Sequence, residues 1–245
     1  MNLKGSVVLI TGAARRVGRV IALDLAERGA HVIVHYHRSK NDAESLARTI
    51  RKKRRGGIHL LQADLGNMEE VHRLSRAAWS WKGRVDVLIH NASSFYPIPL
   101  GEVTEEQWDD LFATNAKAPF FLSQDLGKKM FRRGKGKIVC IGDWAAYHPY
   151  PKFLPYCAAK AALLALSKGL ARTLAPKVQV NAVLPGPVMW PEDLNDKKKK
   201  AVLEKTPLGR AGSPQDVASA VRFLIEGNDF MTGSELHVDG GRHIA

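Results

Sequence analysis

The sequence predicts an α/β fold built on a parallel sheet, and three observations carry that expectation. Short apolar runs alternate with helix-like stretches along all 245 residues. The runs are nearly continuous rather than alternating, as in "VVLI" and "VDVLI", which is the pattern of strands buried on both faces. The first run ends in a glycine-containing turn, "TGAARRVG", that opens directly into a helical pattern.

Each element follows in order. Residues 6–11 are the first β-rich run; 15–29 read as a helix with apolar Val17, Val20, Ile21, Leu23 and Leu25, stopped at Gly29. A strand at 31–36, a helix at 41–54, a strand at 57–63, a helix at 67–81 and a strand at 85–90 continue the alternation. One long helix is expected over 105–133, then a strand at 137–142 and an alanine- and leucine-rich helix at 154–175. A strand at 178–184, a helix at 214–226 and a last strand at 235–240 complete the series. Residues 185–213 are the least regular stretch, interrupted by Pro185, Pro187, Pro191 and Pro207, with Pro214 just beyond; a loop of this kind is expected to act as a lid. With no repeat, linker or composition break, residues 1–245 are expected to form one domain.

Composition narrows the function classes. Hydrophobic residues make up 45% and charged residues 25%, which argues for a folded protein and against disorder. Two cysteines, Cys140 and Cys157, exclude a disulfide framework, and no Cys/His cluster has zinc spacing, so no metal is expected. The start, "MNLKGSVVLITG", lacks the apolar core of a secretory signal, and no run reaches the roughly 20 apolar residues of a membrane span. A cytoplasmic protein without a membrane partner is the expectation. The formal charge of +13 gathers at Arg51–Arg55 and Lys197–Lys200. Such runs either attract anions or are solvated helix ends; without interleaved aromatics they favour solvated ends over a nucleic-acid surface.

The turn after the first run places Gly12 and Gly18 where a backbone must approach a diphosphate and helix N–H groups face it. Its middle glycine is replaced by Arg16. A cation there opposes the helix dipole unless an anion is bound, although a plain surface arginine is the alternative. The second strand ends in "HYHRS", with no acid before Asp42. An NAD site usually has an Asp or Glu here for the ribose 2′-hydroxyl, whereas Arg38 can fork onto a 2′-phosphate with His37 and Ser39 beside it, so NADPH is the expected cofactor. Asp64 either accepts from an adenine amino group or signals the start of the next helix.

Tyr156 and Lys160 stand four apart in "YCAAK" and share a helix face. An ammonium one turn away favours the phenolate and is expected to lower the tyrosine pKa. Cys157 points away from this face and is expected to be packing.

These motifs, together with "ADL", "HNAS", "FATNAKAPF", "VNAVLPGPV" and "GSELHVDGG", resemble the short-chain dehydrogenase/reductase family over essentially the whole chain. The resemblance implies a single doubly wound Rossmann domain with about seven parallel strands, helices on both faces, and a homotetramer. It implies a catalytic set of Asn115, Tyr156 and Lys160, in which Lys160 also holds the nicotinamide ribose and Asn115 positions a water connecting Lys160 to solvent. It places Gly12, Arg16, Val17, Asp64, Leu65, Asn91, Ala92, Ser93, Pro185, Gly186 and Val188 along the dinucleotide. The threonine that often follows the "PG" pair is absent from "PGPVMWPE", leaving the backbone of Val188 as the expected carboxamide partner. Met189 and Trp190 either close over substrate or pack under the loop.

Three departures are more specific. Arg16 replaces a glycine, Ser93 replaces the glycine of the usual NAG triplet, and Asp143, thirteen residues before Tyr156, replaces the family's serine. Together with "HYHRS" they resemble the pteridine reductase branch. That resemblance implies a pterin or folate substrate stacked on Phe95, with Arg16 and Ser93 contacting pterin and cofactor phosphate. A flat heterocycle suits the face of Phe95, which is otherwise an ordinary core aromatic. Asp143 either accepts from the Tyr156 phenol or donates when protonated, and an acid–phenol relay suits protonation of a ring nitrogen; a capping aspartate is the plain alternative. The expected reaction is hydride transfer to a pterin ring carbon with Tyr156 supplying the proton, helped by Asp143 and Lys160. The alternatives are a carbonyl or 3-oxoacyl thioester reductase, which Asp143 disfavours, and a non-catalytic nucleotide- or nucleic-acid-binding regulator, which the Tyr–Lys pair disfavours.

Overall fold

The structure, a computed structural model, describes residues 1–53, 56–190 and 195–245. Seven strands form one sheet: β1 (Val7–Ile10), β2 (His31–Tyr36), β3 (Ile58–Gln62), β4 (Val87–His90), β5 (Gly136–Ile141), β6 (Val178–Pro185) and β7 (Glu235–Val238). Their order is β3-β2-β1-β4-β5-β6-β7, and every pairing is parallel. Leu9 faces Ile33 on one side and Leu88 on the other, so β1 is central and fully paired. The order reverses between β1 and β4, which opens a crevice at their carboxyl ends.

The continuous apolar runs have a simple cause. Val8 and Ile10 point to one face of the sheet and pack with α1 (Arg16–Glu27), α2 (Lys40–Lys53) and α8 (Pro214–Arg222). Val7 and Leu9 point to the other and pack with α3 (Met68–Lys82), α5 (Ala118–Arg133) and α6 (Leu154–Leu174). With period-2 geometry and both faces buried, every position of the strand must be apolar. Helix–strand alternation, strand number and the single doubly wound architecture match the sequence expectation. Among the described residues no helix is long and apolar enough to cross a membrane.

Three elements differ from expectation, one of them the helix expected over 214–226, which is α8 followed by a π turn at Phe223–Gly227. The helix expected over 105–133 is α4 (Glu105–Phe112), a π turn at Ala113–Lys117 and α5. Pro119 has no N–H to give to the carbonyl of Asn115, four residues earlier, so regular helical bonding is interrupted there. The stretch 185–213 is not irregular throughout: α7 (Asp196–Glu204) lies within it, its first turn capped by Asn195 accepting from the Lys198 N–H at 2.9 Å. No α7 residue is buried, so the helix leaves no apolar periodicity to detect. Pro191 lies outside the described residues, as do Arg54 and Arg55 of the first basic run. The rest of that run, Arg51, Lys52 and Lys53, is exposed in the last turn of α2, where cations suit the helix dipole, and Lys53 pairs with Glu27.

Candidate active site

The carboxyl ends of the strands open into a cleft of about 1530 Å³. Single-ligand pockets run to about 1,000 Å³, so this volume accommodates a dinucleotide and a second molecule together. Apart from Asn115, every residue the sequence assigns to the site lines this cleft, from Gly12 at one end to Lys160 at the other.

At the nucleotide end, the β1–α1 turn is built by close approach. Gly12 has φ +62°, and a Cβ there would sit 2.8 Å from the Cα of Ala92. A Cβ on Gly18 would sit 2.6 Å from the Gly12 carbonyl oxygen. The Asn91 amide donates to the Thr11 and Gly12 carbonyls at 2.9 and 3.0 Å, and Thr11 Oγ1 accepts from the Asn91 and Ala92 N–H groups. The loop after β4 is thereby fastened to the glycine turn. Arg16, exposed in the cleft wall, has φ +50°; among the described residues it alone is a non-glycine in the left-handed region. Arg16→Gly is expected to stabilise the free protein by about 1 kcal/mol, a rise in Tm of about 2–4 °C, by removing this strain. A thermal melt checks it, and an unchanged or lower Tm places no strain there.

His35, which sequence analysis passed over in favour of His37, supports the same turn. It is buried; its Nδ1 accepts from the Gly12 N–H at 3.1 Å, so Nε2 carries the proton and donates to the Ala63 carbonyl at 3.0 Å. Burial pulls its pKa down to about 4, and that of buried His90 to about 3. Both histidines are neutral in the folded protein while the unfolded chain takes up protons below about pH 6.5. Stability is therefore expected to fall as pH drops from about 6.5 to 4, by about 3 kcal/mol for His35 alone. Chemical denaturation at pH 7 and pH 4.5 measures it; equal midpoints contradict it.

His37, Arg38 and Ser39 line the cleft where β2 ends. Asp42 is held at 2.5 Å by Arg15, which leaves Arg38 without an ion pair among the described residues. Asp64 does not cap α3: Asn67 accepts from the Glu69 and Glu70 N–H groups in that role. Asp64 accepts instead from the Gly66 N–H at 2.9 Å, with its carboxylate 3.8 Å from His37.

At the other end, the Tyr156 hydroxyl donates to Asp143 Oδ2 at 2.6 Å, and Asp143 Oδ1 accepts from the Ala145 N–H at 2.8 Å. Asp143 is thus both the cap of a short turn and the partner of the phenol. Lys160 is buried, donates to the Ile141 carbonyl at 3.0 Å, and lies 5.8 Å from the centre of the Tyr156 ring. The pKa pattern corrects the expectation of an acidified phenol. Burial raises the Tyr156 pKa well above 10, and the charge and hydrogen bond of Asp143 raise it further. Burial also raises the Asp143 pKa, against the opposing pull of the Tyr156 hydroxyl, Lys160 and Arg242, and brings Lys160 down to about 8. The phenol is a protonated group coupled to a carboxyl that is itself easier to protonate than usual.

Asn115 stands outside the cleft lining. It is wholly buried behind the cleft wall; its amide donates to the Ser94 and Leu111 carbonyls at 2.9 Å each, and its Oδ1 accepts from the Ser93 hydroxyl at 2.7 Å. Its side chain fixes the Ser93–Ser94 loop. The same bond occupies the Ser93 proton, leaving its oxygen as an acceptor toward the cleft. Of the Val188 backbone, expected to meet a carboxamide, the N–H donates to the Gly186 carbonyl at 2.8 Å.

Phe95 is 48% exposed, which rules out a core role. Phe153 stacks on one face of its ring with centroids 4.5 Å apart, and Tyr156 meets it edge-on at 4.7 Å. Met189 and Trp190 line the cleft, and Cys157 packs with Ile98, Leu111 and Ala145. Two further cleft residues were missed because nothing in their local sequence marks them: Phe153, and Arg242 near the chain end, whose guanidinium lies 4.5 Å from the centre of the Trp144 ring. Outside the cleft wall, His237, Asp239 and His243 each bring a donor atom within 4.8 Å of the others, a grouping that spacing alone did not suggest. His243 Nδ1 and Asp239 Oδ2 are 2.9 Å apart there.

A family profile described as Enoyl-(Acyl carrier protein) reductase matches residues 12–243. The chain is 36% identical over 242 residues to the 3-oxoacyl-(acyl-carrier-protein) reductase FabG of Staphylococcus epidermidis, covering 96% of this chain and 98% of that relative. It is 35% identical over 248 residues, the full length of both, to the enzyme of the same name from Escherichia coli K12.

Proposed function

The chain belongs to the short-chain dehydrogenase/reductase family, and as a reductase of that family, we propose, it uses NADPH to reduce a pterin, taking a dihydropterin or dihydrofolate to the tetrahydro form. The observation that carries this reading is the 2.6 Å bond from Tyr156 to Asp143. Reduction of a ring C=N bond adds a hydride to carbon and a proton to nitrogen. The bound reduced dinucleotide supplies the hydride. With Asp143 protonated, a state its raised pKa favours, the carboxyl donates across the 2.6 Å bond to the phenol oxygen; Tyr156 gives its own proton to the ring nitrogen and takes the one from Asp143, which is refilled from solvent. Lys160, as an ammonium, limits the charge left on the pair between these transfers. Phe95, with Phe153 behind it, offers a flat apolar seat beside the phenol.

The cleft fits the dinucleotide on its own evidence. The cradle at Gly12 and Gly18 leaves no room for a Cβ, and Arg16 holds a left-handed conformation beside it. Arg38, without a carboxylate partner among the described residues, supports a 2′-phosphate and hence NADPH over NADH. Arg38→Ala is expected to lower kcat/KM for NADPH about 10- to 100-fold with little change for NADH, the loss of a charged hydrogen-bonding group. Equal losses with both coenzymes contradict this assignment.

A second reading is favoured by the relatives, which are named as 3-oxoacyl-(acyl-carrier-protein) reductases. In it, Tyr156 protonates the oxygen of a ketone. Asp143 stands where the resemblance implies a serine donor for the wider family, and its bond to Tyr156 is why the pterin reading ranks first. The two are separated by coenzyme oxidation with dihydropterins and with 3-oxoacyl thioesters in one preparation. Turnover of dihydropterins in preference to thioesters is expected; the reverse preference overturns the pterin reading.

A further inference from the structure

The cleft ends in a cation that the proposed reaction leaves unused. Arg242 follows β7, rests on the Trp144 ring and donates to the Val202 carbonyl at 3.3 Å. Its Nε is shut away from solvent with no hydrogen-bond acceptor, and no carboxylate pairs with it among the described residues. A guanidinium has five N–H donors in a fixed fork; with Nε enclosed and one terminal nitrogen on the Val202 carbonyl, the remaining terminal N–H groups of this cleft-lining residue are those that an anion can meet. Lys198 stands four residues before Val202 on α7; the two share a helix face, and both line the cleft beside Arg242. The positive charge of Arg242 is felt by Asp143, which places it at the reacting end of the cleft rather than the adenine end.

We infer that Arg242, with Lys198, forms a subsite for a negatively charged group on the non-reacting end of the substrate, a carboxylate several bonds from the ring that is reduced. This rests on the pterin reading above. The same chemistry would receive a phosphate on the carrier arm of a thioester, so the test separates the two sources. The paired substrates are dihydrofolate against dihydrobiopterin, and a 3-oxoacyl-coenzyme A against the matching uncharged N-acetylcysteamine thioester. Wild type, Arg242→Gln, Arg242→Lys and Lys198→Gln are compared by the ratio of kcat/KM for the charged member to that for the uncharged member.

The dihydrofolate ratio is expected to fall at least about 10-fold in Arg242→Gln, the loss of one charge-assisted hydrogen bond, to recover in part in Arg242→Lys, and to fall about threefold in Lys198→Gln. Losing the Trp144 stack or shifting Asp143 affects both members of a pair alike, so an unchanged ratio overturns the subsite while leaving the pterin reading intact. A ratio that falls only for the thioesters assigns the subsite to phosphate and overturns the carboxylate source, while the pterin reading stands or falls on which substrate class the wild type prefers. No turnover of either pair overturns the proposed function and the subsite with it.

Discussion

Tyr156→Phe is expected to lower kcat about 1000-fold while the Kd for NADPH stays within about threefold of wild type. The substitution removes one hydroxyl that meets Asp143 at 2.6 Å and leaves the ring that packs edge-on to Phe95. The cradle at Gly12, Gly18 and Asn91 is fastened through Thr11, His35 and Ala92, none of which bonds to Tyr156, and is untouched. A group that acts only in the transition state shows its loss in kcat and kcat/KM together, with binding preserved. Stopped-flow turnover and coenzyme fluorescence titration measure the two quantities. Parallel collapse of both would mean that Tyr156 holds the cleft together instead of donating a proton.

Asp143→Asn is expected to lower kcat with a dihydropterin about 100-fold and to change the shape of its pH profile. In the wild type, burial raises the Asp143 pKa, so the protonated carboxyl persists to a higher pH than an exposed carboxylate would allow. Turnover through the pair is fullest below that raised pKa and falls as pH rises through it. An amide cannot titrate, so this limb vanishes in the variant, leaving the fall near pH 8 where Lys160 loses its charge. Asn keeps the volume and the bond to the Ala145 N–H, so a purely structural role predicts nearly normal kcat and an unaltered profile. Asp143→Ser restores the residue implied for the wider family and is expected to shift preference toward ketone substrates.

The fold was legible because β1 and its neighbours are buried on both faces, which favours the uninterrupted apolar runs seen at Val7–Ile10 and Val87–Ile89. Where an element buries nothing, as α7 does, no pattern exists to be read. The π turn at Ala113–Lys117 lies beside a missing donor at Pro119, a signal present in the sequence but smaller than the helical periodicity around it. The cleft wall was legible for the same reason as the fold, since strand ends and glycine turns place Gly12, Arg38, Asp143 and Tyr156 together.

Electrostatics was the part that sequence could not supply. Lys160 at i+4 suggested a lowered tyrosine pKa, but burial of the phenol and the carboxylate at 2.6 Å both act in the opposite direction. His35 and Arg242 were invisible for a related reason. Each is defined by partners far away in sequence, His35 by Gly12 and Ala63, Arg242 by Trp144 and Val202. Asn115 shows the converse, a motif residue whose side chain the tertiary structure commits to Ser93, Ser94 and Leu111.

The most direct measurement is a crystal structure with NADP⁺ and a dihydropterin bound together. The expected result is the bicyclic ring on the open face of Phe95, with a ring nitrogen within hydrogen-bonding distance of the Tyr156 hydroxyl and Asp143 behind it. A ring bound elsewhere, or one turned so that no nitrogen meets Tyr156, contradicts the assignment of this pair as the proton source.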